Sequence, residues 1–289
     1  MPEVYPKISI VTAVFNQREF IEDCIRSILD QNYPNLEYLV IDGGSTDGTT
    51  EIIKKYADKL QYWVSEPDNG LYFALQKGFQ RATGEIMGWL NSDDVLHKNS
   101  LFTIAEIFGS NNDIKWMQGL PTVIDNKNRI VFSREARKDR YEFLLKEYHD
   151  GIFIQQESTY WRRDLWERAG SFISTNFEFA GDFELWTRFF EQETLYGTNA
   201  LIGSFRYRGT GQISKDHYLE YITECDKIID AAVCKLAGAE LSMYKNRLKM
   251  KRRKERFPLF SKIMASKGIV NKTNNEVNFD FKEYKFKKI

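Results

Sequence analysis

The chain has 289 residues, enough for one large domain, or one domain with an extension, with a sizeable buried core. Its 41 basic and 41 acidic side chains cancel, so the overall charge gives no reason to expect a nucleic acid partner. The three cysteines, Cys24, Cys225 and Cys234, lack the spacing of metal ligands, and we expect reduced thiols.

No targeting or membrane-spanning segment is apparent. The first six residues do not form a charged-then-apolar leader, and no apolar run approaches the roughly 18 residues that span a bilayer. We therefore expect a cytoplasmic protein.

Strands and helices are predicted to alternate from the start of the chain. Residues 7–14 are apolar or β-branched at nearly every position, which is typical of a strand buried on both faces. Apolar residues recur at helical spacing over 20–29, and a second buried strand is predicted at 36–41. Further helices are predicted at about 47–56 and 71–81, and further strands at 60–64 and 85–90. This order predicts an α/β fold with an open, mostly parallel sheet and helices on both faces.

Ligands of such sheets bind beyond the carboxyl ends of the strands. The loops that follow the first, second and fourth predicted strands, at 13–16, 42–49 and 91–94, are rich in small and acidic residues. Asp93 and Asp94 are adjacent carboxylates after an apolar strand, an arrangement that suits Mg²⁺ or Mn²⁺. A helix cap or a solvated turn is the alternative interpretation of this pair.

Three segments resemble, in order and spacing, the nucleotide-sugar site of glycosyltransferase family 2, whose members have the GT-A fold with a Rossmann-like nucleotide-binding half. They are Ala13-Val14-Phe15-Asn16, Asp42-Gly43-Gly44-Ser45-Thr46-Asp47-Gly48-Thr49 and Asn91-Ser92-Asp93-Asp94. The resemblance covers about residues 5–215. Glu66-Pro67-Asp68-Asn69-Gly70-Leu71-Tyr72 is similar to the bacterial envelope-polysaccharide branch, where Asp-Ala-Met-Asn-Lys-Gly usually follows. This chain has Phe73-Ala74-Leu75-Gln76-Lys77-Gly78 instead.

The resemblance implies a donor site. Asp93 is the expected ligand of Mn²⁺ or Mg²⁺, with Asp94 beside it, and Asn91 replaces the first acid of the family's Asp-x-Asp motif. Asp42 is similar to the acid that accepts a uracil N–H; alternatively, it only opens a Gly-rich turn. The other expected nucleotide-sugar contacts in this half are Ala13, Phe15, Asn16, Lys77 and Ser92.

The second half is expected to supply the acceptor site. Asp182, at a predicted helix start, resembles the family's catalytic base for inverting transfer; the alternatives are an N-cap role, or Glu184 as the base. Gln156 and Glu157 are expected to contact sugar hydroxyls, although family members often have His-Gln where this chain has Gln155-Gln156. Arg206 and Arg208 precede a segment, 209–214, that resembles the family's lid over the diphosphate.

The predicted catalytic domain spans 1–214, with a nucleotide-sugar half at 1–110 and an acceptor half at 111–214. A helical extension is predicted at 215–265, whose apolar stripe either packs on the catalytic domain or joins a second subunit, which would make a homo-oligomer. Residues 245–256 hold eight Lys or Arg and one Glu, and aromatic residues follow. Segment 245–260 is therefore either a solvated helix face or a peripheral contact with the inner face of the cytoplasmic membrane. A loosely ordered polar tail is predicted at 266–289.

The sequence thus predicts a metal-dependent inverting glycosyltransferase of surface polysaccharide biosynthesis. Its donor is expected to be a nucleotide-sugar, in the first instance a UDP-sugar, and its acceptor a saccharide or a lipid-linked saccharide. Two alternatives stay open: a catalytically silent scaffold of the same fold, and a sugar-1-phosphate nucleotidyltransferase.

Overall fold

The computed structural model describes residues 5–136, 139–209, 212–256 and 275–288. The strands in these ranges are β1 (Ile8–Val14), β2 (Leu36–Asp42), β3 (Tyr62–Ser65), β4 (Ile86–Trp89), β5 (Val95–Leu96), β6 (Trp116–Gln118), β7 (Thr122–Ile124), β8 (Ile130–Ser133), β9 (Thr159–Arg162), β10 (Leu195–Gly197), β11 (Gly203–Arg206), β12 (Val277–Asp280) and β13 (Lys285–Lys288). The α-helices are α1 (Ile21–Leu29), α2 (Thr49–Lys55), α3 (Leu71–Phe79), α4 (Ser100–Ser110), α5 (Arg140–Leu144), α6 (Arg163–Arg168), α7 (Gly181–Gln192), α8 (Ile213–Asp216), α9 (Tyr218–Cys234) and α10 (Gly238–Arg256).

A mostly parallel sheet organises the chain. Its strand order is β10-β6-β9-β4-β1-β2-β3, and β4, β1, β2 and β3 run parallel. Only β9 in this sheet is antiparallel to its neighbours, β4 and β6. The predicted α/β architecture is confirmed, with β1 central, as its continuous apolar run indicates.

Alternate residues of β1 belong to two different cores. Ile10 and Val14 pack among residues of α1 and α4 on one face of the sheet, whereas Val11 and Ala13 pack among residues of α3, α7 and α9 on the other. Side chains of a strand alternate between faces, so a strand covered on both sides is apolar throughout.

Helix α7 packs against the sheet through stacked tryptophan rings. The ring of Trp186 on α7 lies 5.6 Å from Trp89 of β4 and 5.8 Å from Trp116 of β6, both in stacked geometry. All three rings are buried. Aromatic pairs add to the free energy of burial and restrict geometry, so this stack fixes the middle of α7 relative to the end of β4.

The C-terminal extension is part of the same core. Ile222, Cys225 and Ile229 of α9 are buried in the cluster that contains residues of α3 and α7, so the apolar stripe packs within this chain. Helix α10 follows and is tied to α5 by an ion pair between Arg140 and Glu240. Residues 257–260 of the predicted membrane segment lie outside the described residues.

The prediction of a loosely ordered tail is wrong for residues 275–288. Strands β12 and β13 form an antiparallel hairpin, and Val277 is fully buried. Asn111, the residue that follows α4, donates a side-chain hydrogen bond to the carbonyl of Phe286 at 3.3 Å. The rest of that predicted tail, 266–274, lies outside the described residues. No helix among the described residues is both long and apolar enough to cross a membrane.

A close approach between β4 and β9 requires glycine at position 88. A Cβ at Gly88 would lie 2.6 Å from ring atoms of the buried Tyr160. We predict that Gly88→Ala lowers the free energy of unfolding by about 1–3 kcal/mol through overpacking, measured by urea denaturation. Gly109→Ala is the matched control, because nothing lies within 4 Å of a Cβ there. Equal stability of the two variants would contradict the prediction.

Candidate active site

A cleft of about 860 Å³ opens at the carboxyl ends of β1 and β4, where the topology predicts a ligand. Nine of the predicted site residues line it: Ala13, Phe15, Asn91, Ser92, Asp93, Gln156, Glu157, Asp182 and Arg208. The far wall of the cleft comes from the second half of the chain, including α9. The structure therefore brings the two predicted halves of the site together.

Asp93 faces the cleft beside a cation. Its carboxylate lies 3.1 Å from Nε of Arg208, and the side chain of Asp93 is 17% exposed. Burial raises the pKa of Asp93 above its usual range, while the charge of Arg208 opposes that shift. The ionised form of Asp93 is thus stabilised only in part by the protein.

The donors around Asp93 fit a hard divalent cation. Asn91 lines the cleft, and its Oδ1 atom is buried without a hydrogen-bond partner among the described residues. Amide and carboxylate oxygens are the ligands that Mg²⁺ and Mn²⁺ prefer. The described ranges contain no cluster of three or more His, Cys, Asp or Glu that could hold a metal, so substrate oxygens would have to complete a coordination shell.

Asp94 points away from the cleft, which corrects the expectation that it is a metal ligand. The residue is 1% exposed, and its Oδ1 accepts a hydrogen bond from the backbone N–H of Arg206 at 2.8 Å. Its Oδ2 has no hydrogen-bond partner among the described residues. Burial and the neighbouring charge of Asp93 raise the pKa of Asp94 well above its usual range.

Arg206 is also structural, which corrects its expected role at the diphosphate. Its side chain is 1% exposed. Its Nε donates to the carbonyl of Asp93 at 2.6 Å, and Nη1 donates to the carbonyl of Asp125 at 3.3 Å. The guanidinium therefore holds the turn that presents Asp93 and does not line the cleft.

Asp42 is fully buried, and its carboxylate is occupied by hydroxyl groups. Ser45, Thr50 and Ser65 each donate a side-chain hydrogen bond to it, at 2.5 to 3.0 Å. The structure does not place Asp42 in the cleft wall. Asp68 lies there instead, and a Cβ at Gly43 would be 3.2 Å from its carboxylate oxygens.

Two further predicted residues lie beside the cleft. Lys77 donates to Oε1 of Glu66 at 2.6 Å and does not line the cleft. Asn16 lines a smaller adjoining cavity of about 470 Å³, and its Oδ1 accepts the backbone N–H of Thr46 at 2.9 Å. Asn16 has a positive φ of 50°, a conformation that asparagine tolerates better than most residues.

Glu157 is a second buried acid of the cleft. It is 3% exposed and accepts a hydrogen bond from Nε2 of Gln155 at 2.6 Å. Burial raises the pKa of Glu157 to about 7; the hydrogen bond from Gln155 opposes the shift, and the charges of Asp93 and Asp182 add to it. Gln156 donates to the carbonyl of Trp89, which ties this segment to the end of β4.

Asp182 lies in the first turn of α7, where its side chain meets Tyr72. The hydroxyl of Tyr72 donates to the carbonyl of Phe179 at 2.7 Å and is 3.3 Å from Oδ1 of Asp182. Burial raises the pKa of Asp182 to about 6, and hydrogen bonds from the backbone N–H of Phe183 and from Tyr72 oppose the shift. Gly181 permits this contact, because a Cβ there would lie 2.8 Å from the ring of Tyr72.

The loop before α7 is held by an acid from the C-terminal extension. The carboxylate of Glu224 on α9 accepts hydrogen bonds from the backbone N–H groups of Glu178, Phe179 and Ala180, at 2.8 to 3.0 Å. Three N–H donors on one carboxylate make a rigid clamp. Helix α9 therefore positions Asp182 as well as covering the core.

A comparison with known families identifies the chain. The sequence model of "Glycosyl transferase family 2" matches residues 9–169, more than half of the protein. The chain belongs to glycosyltransferase family 2.

Family 2 relatives match parts of the chain. TuaG of Bacillus subtilis, named for teichuronic acid biosynthesis, is 35% identical over 99 residues, which is 33% of this chain and 39% of TuaG. The glycosyltransferase AglE of Haloferax volcanii is 31% identical over 120 residues, which is 39% of this chain and 40% of AglE. The chain therefore aligns with about two fifths of these relatives.

Solved structures confirm the GT-A fold. Residues 1–349 of TarS from S. aureus, in complex with UDP-GlcNAc, superpose with a TM-score of 0.63 at 18% identity, covering 84% of this chain and 70% of that one. The mannosyltransferase PcManGT of Pyrobaculum calidifontis, in complex with GDP-Man and Mn²⁺, superposes with a TM-score of 0.53 at 16% identity. That match covers 87% of this chain and 85% of the other.

The sequence did not identify several residues that line the cleft or support it. They are Asp68 of the cleft wall, Tyr72 beside Asp182, the clamp Glu224, and Tyr218 and Tyr221, which also line the cleft. Glu224 lies beside the apolar stripe of α9, and its distant backbone partners cannot be read from the sequence.

We predict that Tyr72→Phe raises the pKa of Asp182 above its wild-type value of about 6. Loss of the hydroxyl removes a donor that stabilises the carboxylate, so protonation persists to higher pH. The titration is followed by ¹³C NMR of labelled aspartate, with Asp182→Asn to assign the resonance. Tyr160→Phe is the control, because its buried hydroxyl has no hydrogen-bond partner among the described residues. An unchanged or lower midpoint in Tyr72→Phe would contradict the assignment.

Proposed function

We propose that this chain is a metal-dependent, inverting glycosyltransferase that uses a UDP-sugar and transfers the sugar to a saccharide or lipid-linked saccharide of a bacterial surface polysaccharide. One observation carries the proposal: the same cleft presents Asp93, Asn91 with an Oδ1 that has no hydrogen-bond partner among the described residues, and Asp182, a buried acid of raised pKa. Family membership and the complex of TarS with UDP-GlcNAc support the donor class, and the similarity to TuaG, a protein named for teichuronic acid biosynthesis, supports the biosynthetic setting.

The donor is proposed to bind on the β1 and β4 side. Ala13 and Phe15 offer apolar surface to the base, and Asp68 offers a carboxylate near Gly43. Asp42 is retained in the proposal as the acid that shapes the 42–45 loop through its hydroxyl partners.

Asp93 and Asn91 would hold Mn²⁺ or Mg²⁺ in this proposal. The metal would neutralise the charge of the diphosphate leaving group. Arg208 is the protein cation beside Asp93, and its backbone N–H donates to Oε1 of Gln212 at 2.9 Å. Arg208 thereby joins the predicted lid segment, of which residues 210 and 211 lie outside the described residues. A closed lid would exclude water, which competes with the acceptor.

Asp182 is the proposed base. Inverting transfer requires a carboxylate that takes the proton from the attacking acceptor hydroxyl. With a pKa of about 6, Asp182 is mostly ionised at pH 7, yet it is basic enough to accept that proton. Tyr72 and the clamp Glu224 fix its position.

The basic segment supports a peripheral membrane site for the reaction. Helix α10 carries exposed Arg252, Arg253 and Arg256, which would be attracted to anionic lipid. A lipid-linked acceptor would then be presented at the inner leaflet, in keeping with the proposed cytoplasmic location.

The first test is nucleotide binding. We predict that the wild-type chain binds UDP only with Mn²⁺ or Mg²⁺, and that Asp93→Asn weakens this binding about tenfold or more, because a charged contact is lost. Calorimetry with UDP, GDP, dTDP and CDP measures both effects. Asp58→Asn, an exposed acid outside the cleft, is the control. Folded protein that binds none of the four nucleotides would overturn the enzyme proposal and favour the scaffold.

The second test concerns the base. We predict that Asp182→Asn lowers transfer by roughly 100-fold or more, because the attacking hydroxyl keeps its proton, while UDP affinity changes less than about twofold. Release of UDP from UDP-sugars, with saccharide acceptors present, is the readout. Glu184→Gln is the matched control, since Glu184 lies on the same helix and is ion-paired with Arg188 at 2.8 Å. Loss of transfer in Glu184→Gln alone would assign the base to Glu184.

A further inference from the structure

The cleft wall opposite the proposed donor side is built from aromatic rings. Five of them line the cleft: Phe132, Phe153, Phe179, Tyr218 and Tyr221. The two tyrosines come from α9, in the segment where the sequence suggested no chemistry. Tyr218 is 38% exposed, so part of its ring is available to a ligand.

The rings support one another and hold a fixed shape. Phe153 lies edge-on to both tyrosines, with ring centroids 6.5 Å from Tyr218 and 5.6 Å from Tyr221. Arg134 donates to the carbonyls of Gly151 and Phe153, at 2.6 and 2.7 Å, and so fastens the loop that carries Phe153. The surface is therefore preorganised, which lowers the entropy lost on binding.

Polar groups are interleaved with these rings. Burial raises the pKa of Tyr221 well above its usual range, and the negative charge of the nearby Asp182 adds to that shift. A tyrosine side chain combines an apolar ring with a hydroxyl that can donate and accept hydrogen bonds. Asp182 and Glu157 lie on the same cleft, so the wall is neither purely apolar nor purely charged.

We propose that Tyr218 and Tyr221 of α9, together with Phe153, form an acceptor subsite that stacks against one face of a pyranose ring. A pyranose has an apolar C–H face and a rim of hydroxyls, which matches ring faces edged by hydroxyl and carboxylate groups. The hydroxyl that reacts would then be directed toward Asp182. This inference rests on the proposed function, because it takes Asp182 as the base.

The chemistry of the wall favours a saccharide over a hydrocarbon chain as its occupant. A prenyl or acyl chain would displace water from the carboxyl groups of Asp182 and Glu157 and offer them no hydrogen bond beyond those that Tyr72 and Gln155 already donate. A sugar ring satisfies the same groups while its C–H face covers the aromatic surface. A lipid moiety, where the acceptor has one, would lie beyond this subsite.

Saturation-transfer NMR tests the subsite directly. The probes are methyl β-D-glucopyranoside, methyl β-D-galactopyranoside and methyl N-acetyl-β-D-glucosaminide, added to the full chain with UDP and Mn²⁺. For at least one probe, we expect saturation concentrated on the C–H protons of one ring face. Tyr218→Ala should lower that signal about fivefold, the equivalent of one aromatic contact, and Tyr218→Phe should retain it. Leu219→Ala is the matched control, because Leu219 is the neighbouring residue on α9 and is 74% exposed.

Two readouts separate this inference from the proposed function. UDP binding, measured on the same samples, should be unchanged in all three variants; absence of UDP binding in the wild type would sink the proposed function itself. Protein that binds UDP but transfers no saturation to any pyranoside would overturn the subsite, as would equal signals from Tyr218→Ala and the wild type. Tyr218-dependent binding of an isoprenoid phosphate in detergent, without pyranoside binding, would assign the wall to lipid and also overturn it.

Discussion

The buried guanidinium of Arg206 is the interaction on which the cleft depends. Its Nε holds the carbonyl of Asp93, and its own backbone N–H holds the carboxyl of Asp94, so one residue of β11 fixes both positions of the acidic turn. A sheltered acidic pair is costly unless a cation lies nearby. Arg206 supplies that positive charge from the protein interior, and the carboxylate of Asp93 faces the cleft. The sequence analysis assigned Arg206 to the diphosphate of the donor. In the structure, Arg206 instead contacts the backbone of Asp93, the residue that we propose as a metal ligand.

A second constraint joins the C-terminal extension to the chemistry. Glu224 accepts three backbone N–H groups just before α7, and the Trp186 stack fixes the same helix against the sheet. Asp182 is thus positioned from two sides, by α9 and by the end of β4. The sequence analysis treated α9 as an extension of the catalytic domain, yet Glu224 of α9 holds the loop that precedes Asp182. Truncation of the chain before α9 would remove both this contact and the core packing of the helix.

The sequence predicted what depends on local periodicity and on the order of strands. Continuous apolar runs identified β1 and β2, and the parallel order placed Asn91 and Asp93 in the cleft. It failed where a side chain's direction depends on a distant partner: Asp94 follows Asp93 by one residue, yet it faces Arg206, 112 positions away. Tyr72 and Asp182 are 110 positions apart. The hairpin of β12 and β13 lies in a segment of polar composition, which is typical of loosely ordered chain, although Val277 and Phe279 alternate with polar residues.

The electrostatics of the cleft indicate a site built to receive positive charge. Burial raises the pKa of Asp182 to about 6 and that of Glu157 to about 7, and Asp93 is shifted in the same direction. An acid whose pKa is higher in the folded state than in the unfolded state binds its proton more tightly when folded. Its contribution is therefore most favourable at low pH and is lost as pH rises from about 4 through the folded pKa. At neutral pH the folded protein carries this unfavourable term. Under the proposed function, a divalent cation held at Asp93 would offset part of it, because a nearby positive charge favours the ionised form of a carboxyl group.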